Sequence, residues 1–353
     1  MRAPIPTLEK HPMTLPDVRQ PAEWEIHSRC WLAWPSHGHL WGVNLAPAQA
    51  EFAALGRAIA EDGGEALDLL VQDAAAEAEA RAALAPVIGQ ARCHRVPVGD
   101  IWLRDTAPIF VKDGTGSLQA ACFRFNGWGG KHVLAGDEQV ADRVAGLSGM
   151  PRRDHGWILE GGSVEGDGEG TVLTTRQCLL NPNRNPGMDQ ADVEAALRRD
   201  LGAEKVLWLD EGLINDHTDG HVDTLARFVA PGVVVCMEAR APGDPNAATL
   251  DRIAADLAAF TDARGRKLQV VRIPSPGLVR DEAGEPMPAS FVNFYIGNRS
   301  VVVPTYGTSH DGAAVAALAP LFPGRRVVGR SARAILSGGG AFHCITQQQP
   351  EVL

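Results

Sequence analysis

Apolar residues recur at helical spacing over Ala46–Glu61, Ala74–Ala85, Asp137–Leu147, Asp189–Leu201, Asn246–Thr261 and Gly312–Leu321, and each stretch reads as a helix. Asp189 stands where an N-cap belongs, because its side chain can accept from free backbone N–H groups of the first turn. Between these helices lie short apolar runs that read as buried strands: Leu67–Val71, Trp157–Leu159, Val206–Leu209, Leu268–Ile273 and Arg326–Val328. Arg95–Val98 leads toward Ile101 and Trp102, and two further runs, Val233–Met237 and Ser300–Pro304, precede helices. The grammar is strand–helix–strand, repeated about five times at intervals of roughly 50–60 residues, longer than a TIM-barrel unit needs. Glycine-rich connections (Gly161–Gly170, Gly338–Gly340) separate units, and no linker splits the chain. The expectation is one catalytic domain over residues 1–353.

Composition narrows the function classes. Of 353 residues, 45% are hydrophobic, enough for a sizeable core, and the net charge is −10. That charge argues against nucleic acid and anionic membrane as partners and suits a cationic small substrate. Met1–Pro16 is polar and has no apolar signal-type core. No stretch approaches the roughly 18 apolar residues of a membrane span. The six cysteines, Cys30, Cys93, Cys122, Cys178, Cys236 and Cys344, show no CxxC spacing. Neither a disulfide framework nor a zinc site is expected, and a reduced, cytoplasmic setting is. Cys178 and Cys236 read as core residues of apolar strands. A homo-oligomer is compatible with the sequence, which does not fix the number of subunits.

Four segments carry polar side chains where a plain core would not. Gly338-Gly339-Gly340-Ala341-Phe342-His343-Cys344 presents a thiol behind three glycines and beside a histidine. Such a thiol attacks only as thiolate, and its free pKa of about 8.5 calls for positive charge nearby. Ile101–Pro108 sets Arg104 and Asp105 at an expected strand end, and Leu159-Glu160-Gly161-Gly162 ends an apolar strand in a carboxylate. Asp216–Asp223 holds five ionisable groups, with His221 and Asp223 two apart and therefore on one face of an extended strand. Together they read as a thiol nucleophile, a proton-transfer histidine and three carboxylates. Carboxylates raise a neighbouring thiol's pKa, so the set makes sense for a substrate that is itself a cation. A guanidinium is a planar fork that carboxylates bind two hydrogen bonds at a time.

These segments resemble the agmatine deiminase family, closely related to bacterial peptidylarginine deiminases. The resemblance runs over most of the chain: Trp31–Pro35, Asp100–Asp105, Phe125–Lys131, Leu159–Ser163, Leu179–Pro186, Thr218–Asp223, Ser290–Tyr295 and Gly338–Pro350. It implies a pentein fold, a five-bladed α/β propeller with pseudo-fivefold symmetry. It also implies hydrolysis of agmatine to N-carbamoylputrescine and ammonia through a covalent cysteine intermediate, a step toward putrescine, with no metal or organic cofactor. Carried over by position, Cys344 is the nucleophile and His221 the general acid/base. Asp105 and Asp223 clamp the guanidinium, and Glu160 binds substrate and holds the histidine charged. Trp102 would cover the aliphatic chain, with Arg104 beside it. Agmatine's distal amine calls for an acid just upstream of His221, where this chain has His217; Asp216 or Asp219 is then the substitute, or the substrate is arginine-like. The rival readings are a peptidyl- or free-arginine deiminase, a metal-dependent amidinohydrolase using Asp219-x-His221-x-Asp223 and releasing urea, and a catalytically silent polyamine-binding protein.

Overall fold

The computed structural model describes residues 18–352, so the polar stretch Met1–Pro16 lies outside the described residues. The strands form five small sheets. Each sheet contains an antiparallel pair followed by a parallel one. Ala226–Ala230 pairs antiparallel with Val233–Glu238, which pairs parallel with Gln269–Pro274. Tyr295–Ile296, Ser300–Thr305 and Arg326–Ser331 repeat the pattern, as do Glu165–Gly166, Thr171–Thr175 and Lys205–Leu209. A fourth sheet adds Val18–Arg19 outside Ile109–Asp113, Leu118–Arg124 and Arg152–Ile158. In the fifth, the polar strand Gln347–Pro350 lies antiparallel on His27–Ala33, followed by Ala66–Val71 and Ala91–Arg95. Five such units match the count read from periodicity. The last pairing joins the chain's two ends and places Cys344 at the entrance to a strand.

The expected helices are present with ends shifted by a few residues: Leu45–Ala60, Ala74–Ala83, Val140–Ser148, Gln190–Leu201, Ala247–Ala259 and Asp311–Leu318. Their buried faces follow the helical period; Ala48, Phe52, Leu55 and Ile59 line one side of the first. Asp189 caps its helix in a reciprocal capping box with Asp192, and Asp73 accepts from Ala75 and Ala76 N–H groups. Central strands of the sheets are short apolar runs buried on both faces, as Val233–Glu238 and Ser300–Thr305 show, while the outer parallel strand Arg152–Ile158 is polar and partly exposed. One hydrophobic cluster extends from Cys30 to Ile345 and a smaller one from Val18 to Trp208.

Three local expectations are corrected. Asp105 is not at a strand end but on a single helical turn, Leu103–Thr106, ahead of the strand Ile109–Asp113. His221 and Asp223 do not lie on a strand: the chain turns through Asp219 and Gly220, both at positive φ, into the short 3-10 turn Val222–Thr224. Cys178 sits on the helical turn Arg176–Leu179 rather than in an apolar strand, since Thr175 caps that turn through its side chain.

Candidate active site

Glycine geometry shows where the site lies. A Cβ built on Gly162 would fall 2.6 Å from His221 Nδ1, 3.0 Å from Asp105 Oδ1 and 3.1 Å from Asp223 Oδ2. Three groups from two separate segments thus converge on one residue that must lack a side chain. On the other wall, a Cβ on Gly340 would lie 2.7 Å from the Trp102 ring and 3.0 Å from Cys344 Sγ. The glycine loop therefore lies flat on the indole and brings the thiol beside it.

Cys344 is pinned by Asn293. The Asn293 amide donates to Sγ at 3.1 Å, and its oxygen accepts from the backbone N–H groups of His343 (3.0 Å) and Cys344 (3.3 Å). Sγ stands 3.6 Å from Asp223 Oδ2. Burial, then Asp223 and Asp105, pushes the thiol well above its ordinary range. Asp105 accepts from Gly162 N–H (2.9 Å) and from Trp128 Nε1–H (2.8 Å). Trp128 takes this position at φ +52, a left-handed conformation of the kind held at functional sites, within the Asn126-capped turn. Burial raises Asp105, opposed by His221 and reinforced by Asp223 and Glu160.

His221 is fully buried between carboxylates. Nδ1 is 3.7 Å from Asp105 Oδ1 and Nε2 3.6 Å from Glu160 Oε2. Burial alone would lower its pKa, but Asp105, then Cys178 and Glu160, hold it well above the ordinary value. Burial works to raise Glu160, yet His221 and Arg184 keep it ionised below the ordinary range. Arg184 Nε donates to both Glu160 oxygens, at 2.8 and 3.2 Å. Glu160, Cys178 and His221 have ligand atoms within 4.8 Å of one another, but this guanidinium already fills the charge of the carboxylate.

A cavity of about 220 Å³ opens over these groups, lined by Trp102, Asp105, Trp128 and Cys344 at one end and by exposed His132 and His217 at the other. His221, Glu160 and Asp223 lie one layer deeper. Trp102 stacks on Trp41, and Asp100 accepts from both indoles, at 2.8 and 2.9 Å, which fixes the aromatic wall. Arg104 and Asp219 do not line the cavity, which corrects the placement expected for them. Arg104 is buried with its guanidinium on Gln348 Oε1 (2.8 Å) and His343 O (3.3 Å), because it ties the C-terminal strand down. Asp219 is taken by Arg184 (2.5 Å), Asn183 (3.0 Å) and Lys131 (2.5 Å). That also separates it from the Asp219-x-His221-x-Asp223 ligand set of the metal reading. Asp216 faces a wider neighbouring cleft, where Oδ1 accepts from Thr218 and Oδ2 is buried without a partner.

This arrangement can be set against known proteins. The family model for Porphyromonas-type peptidyl-arginine deiminases matches residues 19–350. The chain belongs to that family. It is 40% identical to an agmatine deiminase of Stutzerimonas stutzeri, over 94% of this chain and 95% of the relative, and 39% identical to one of Pseudomonas aeruginosa at the same coverage. Among solved structures, an agmatine deiminase of Enterococcus faecalis superposes with a TM-score of 0.89 at 31% identity, covering 96% of this chain and 97% of the other. A C. jejuni agmatine deiminase solved with substrate bound gives 0.86 at 25% identity, over 95% and 97%. The fold is the pentein fold that the resemblance implied.

Asn293, Trp128 and Arg184 complete the site and carried no assigned role in the sequence reading, and Cys178, read there as a core residue, joins them beside Glu160. The first three fall inside segments that support the resemblance. A neutral amide, an indole or an arginine signals no chemistry until its neighbours are known.

Proposed function

We propose that this family member is a guanidino-group hydrolase that converts agmatine and water to N-carbamoylputrescine and ammonia, acting as one catalytic unit. One observation carries the reading: a buried thiol donates to Asp223 Oδ2 at 3.6 Å and feels the Asp105 charge as well, and Asp223 Oδ1 is buried without any hydrogen-bond partner among the described residues. An unpaired carboxylate oxygen in such a place lacks a donor, and a planar cationic fork supplies several. Its charge offsets the carboxylates that hold Cys344 protonated, so as substrate arrives the thiol gives up its proton to solvent and is left as thiolate.

The reaction then divides into two displacements. Cys344 Sγ attacks the guanidinium carbon while Asp105 and Asp223 hold its nitrogens. Protonated His221 gives a proton to the departing nitrogen, which leaves as ammonia. A water then attacks the amidino-thioether carbon as neutral His221 removes its proton, and Sγ leaves as the ureido product forms. Glu160, backed by Arg184, keeps the imidazole facing this work. Stacked Trp102 would cover the methylene chain. Among the described residues no helix is long and apolar enough to cross a membrane. The six cysteines are all free, which supports the cytoplasmic setting we propose.

The test is a panel of agmatine, arginine and a peptidyl-arginine assayed for ammonia and ureido product. Turnover of agmatine at the highest kcat/KM is expected; no ammonia from any guanidino compound overturns the reading. A second substrate class is favoured by the cavity's outer end. Of its two lining carboxylates, Asp100 is engaged by both indoles and Asp105 lies beside the thiol, so beside the two imidazoles the remaining polar lining is the hydroxyls of Thr218 and Ser337, with no further carboxylate. A guanidino compound with an uncharged or anionic tail fits that end, and arginine in the panel probes it.

A further inference from the structure

His343 adjoins the nucleophile in sequence, yet its ring does not line the cavity. It is buried in a second charge network behind the site. Nδ1 is 2.7 Å from Asp223 Oδ2 and Nε2 is 2.8 Å from Glu23 Oε2. Burial works to raise Glu23, but Arg227, His343 and Arg104 hold it well below the usual carboxylate range. Burial opposes Asp223 in the same way, and His343, then His221 and Arg227, keep it low. Ionised carboxylates only accept hydrogen bonds. The ring satisfies both of them only with a hydrogen on each nitrogen, which makes it an imidazolium.

The far end of this bridge is rigid. Glu23 also accepts from Arg227 Nη2 (2.7 Å) and from Ile296 N–H (2.8 Å), with Arg104 Nη2 at 3.6 Å. Arg227 is fixed in turn by Glu165 (2.8 Å) and the Phe294 carbonyl (2.8 Å). At the near end the bridge engages Asp223 Oδ2 and leaves Oδ1 unpaired.

We propose that His343 is a positioning residue for the reaction: held between Glu23 and Asp223, it keeps Asp223 ionised and turned with Oδ1 toward substrate, and thereby sets the lowest pH at which the pocket binds a guanidinium. The proposal rests on the hydrolase reading above. The groups facing Asp223 are His343, His221 and Arg227 as cations, Asp105 and Asp216 as carboxylates, and the Cys344 thiol, with Glu160 beyond His221. His343 is the only one of the cations hydrogen-bonded to the Asp223 carboxylate among the described residues. Without it, burial and two neighbouring carboxylates push Asp223 toward the neutral acid, and a neutral acid is a poor guanidinium clamp.

The experiment is the pH profile of kcat/KM for wild type, His343→Gln and Glu23→Gln, with circular dichroism at each pH to count only folded enzyme. The sign is fixed: Asp223 is active when ionised and is held low by His343, so losing the bridge moves the acid limb to higher pH. A displacement of about one pH unit or more is expected for His343→Gln, expressed in KM more than kcat. Glu23→Gln should move the limb the same way by less, since its loss only weakens the charge on His343. A uniform loss of activity with an unmoved acid limb means a packing role and overturns the proposal. If His343→Gln does not fold, Glu23→Gln decides alone by the same criterion. A wild type inactive on every guanidino compound would sink the hydrolase reading as well; an active wild type with unmoved limbs in both variants sinks only this inference.

Discussion

Asp105→Asn is the sharpest single perturbation of the site, because it is isosteric and yet cannot be accommodated. Both carboxylate oxygens accept from buried donors, Gly162 N–H at 2.9 Å and Trp128 Nε1–H at 2.8 Å. An asparagine has one acceptor, so in either orientation its NH₂ opposes one of them. The unmade bond costs about 1–3 kcal/mol, which appears as lost stability. Removing the charge costs a further share at the substrate, where a charge-assisted bond is worth about 1.5–3 kcal/mol, or roughly 10- to 150-fold in kcat/KM. His221 also loses the foremost anion among those holding it protonated. Its pKa falls, so the enzyme loses the protonated imidazole at lower pH and the basic limb of kcat/KM moves toward acid. The assay is ammonia release from agmatine across pH, beside thermal melts. A kcat/KM within threefold of wild type with an unmoved basic limb would refute the clamp and the proton-holding role together.

Other outcomes follow from the same geometry. Cys344→Ser should abolish ammonia release while still binding agmatine by calorimetry; turnover within tenfold of wild type would exclude the covalent route. His217→Glu replaces one of the two imidazoles of the outer cavity with a carboxylate and leaves His132 as the other. It should lower KM for agmatine relative to arginine by about fivefold, the worth of an exposed ion pair; an unchanged ratio would remove His217 from the tail site. Burial pushes Asp137 up to about 7 against the Gly99 and Asp100 N–H groups it accepts from. Its folded pKa exceeds the unfolded value of about 3.9, so its contribution favours folding below that value and is lost as pH rises through about 7. Asp137→Asn should therefore gain on wild type in Tm at pH 8 relative to pH 5, and equal differences at the two pH values would contradict the shift.

Much of the framework was readable in advance because it is written in apolar periodicity. Leu45–Ala60 and Gln190–Leu201 show their buried stripes, and central strands such as Ser300–Thr305 are short, evenly apolar runs. What escaped was structure stabilised by polar partners. Gln347–Pro350 has no hydrophobic signal, yet it is a buried strand because Gln349 accepts from the Trp31 indole (2.9 Å) and Gln348 from Arg104 (2.8 Å). The same blindness affects the site. Cys344, Asp105 and His221 stand out as reactive types in unusual settings. Asn293 does not, although its side chain bonds two backbone N–H groups and the sulfur, and Asp219 looks reactive while serving as an anchor for Arg184 and Lys131.

Under the proposed mechanism, the charge arrangement makes the resting pocket inert and the loaded one reactive. Before substrate arrives, the thiol is held protonated by burial and two carboxylates, while His221 is held protonated mainly by Asp105. A neutral thiol beside an imidazolium is the wrong pair for attack, and His221 cannot serve as the base that creates the thiolate because its proton is already in place. The charge must come from elsewhere, and the only mobile cation in the reaction is the substrate's guanidinium. In the proposed mechanism its arrival between Asp105 and Asp223 neutralises the groups that penalise the thiolate, the thiol proton passes to solvent, and His221 stays charged and ready to protonate the leaving nitrogen. A neutral isostere of the same shape, such as the ureido product, would fill the cavity without that effect. Thiolate formation in Cys344, followed by its ultraviolet absorbance, should thus rise on adding a guanidinium ligand and not on adding the ureido compound; equal signals from both would show that ionisation has another source.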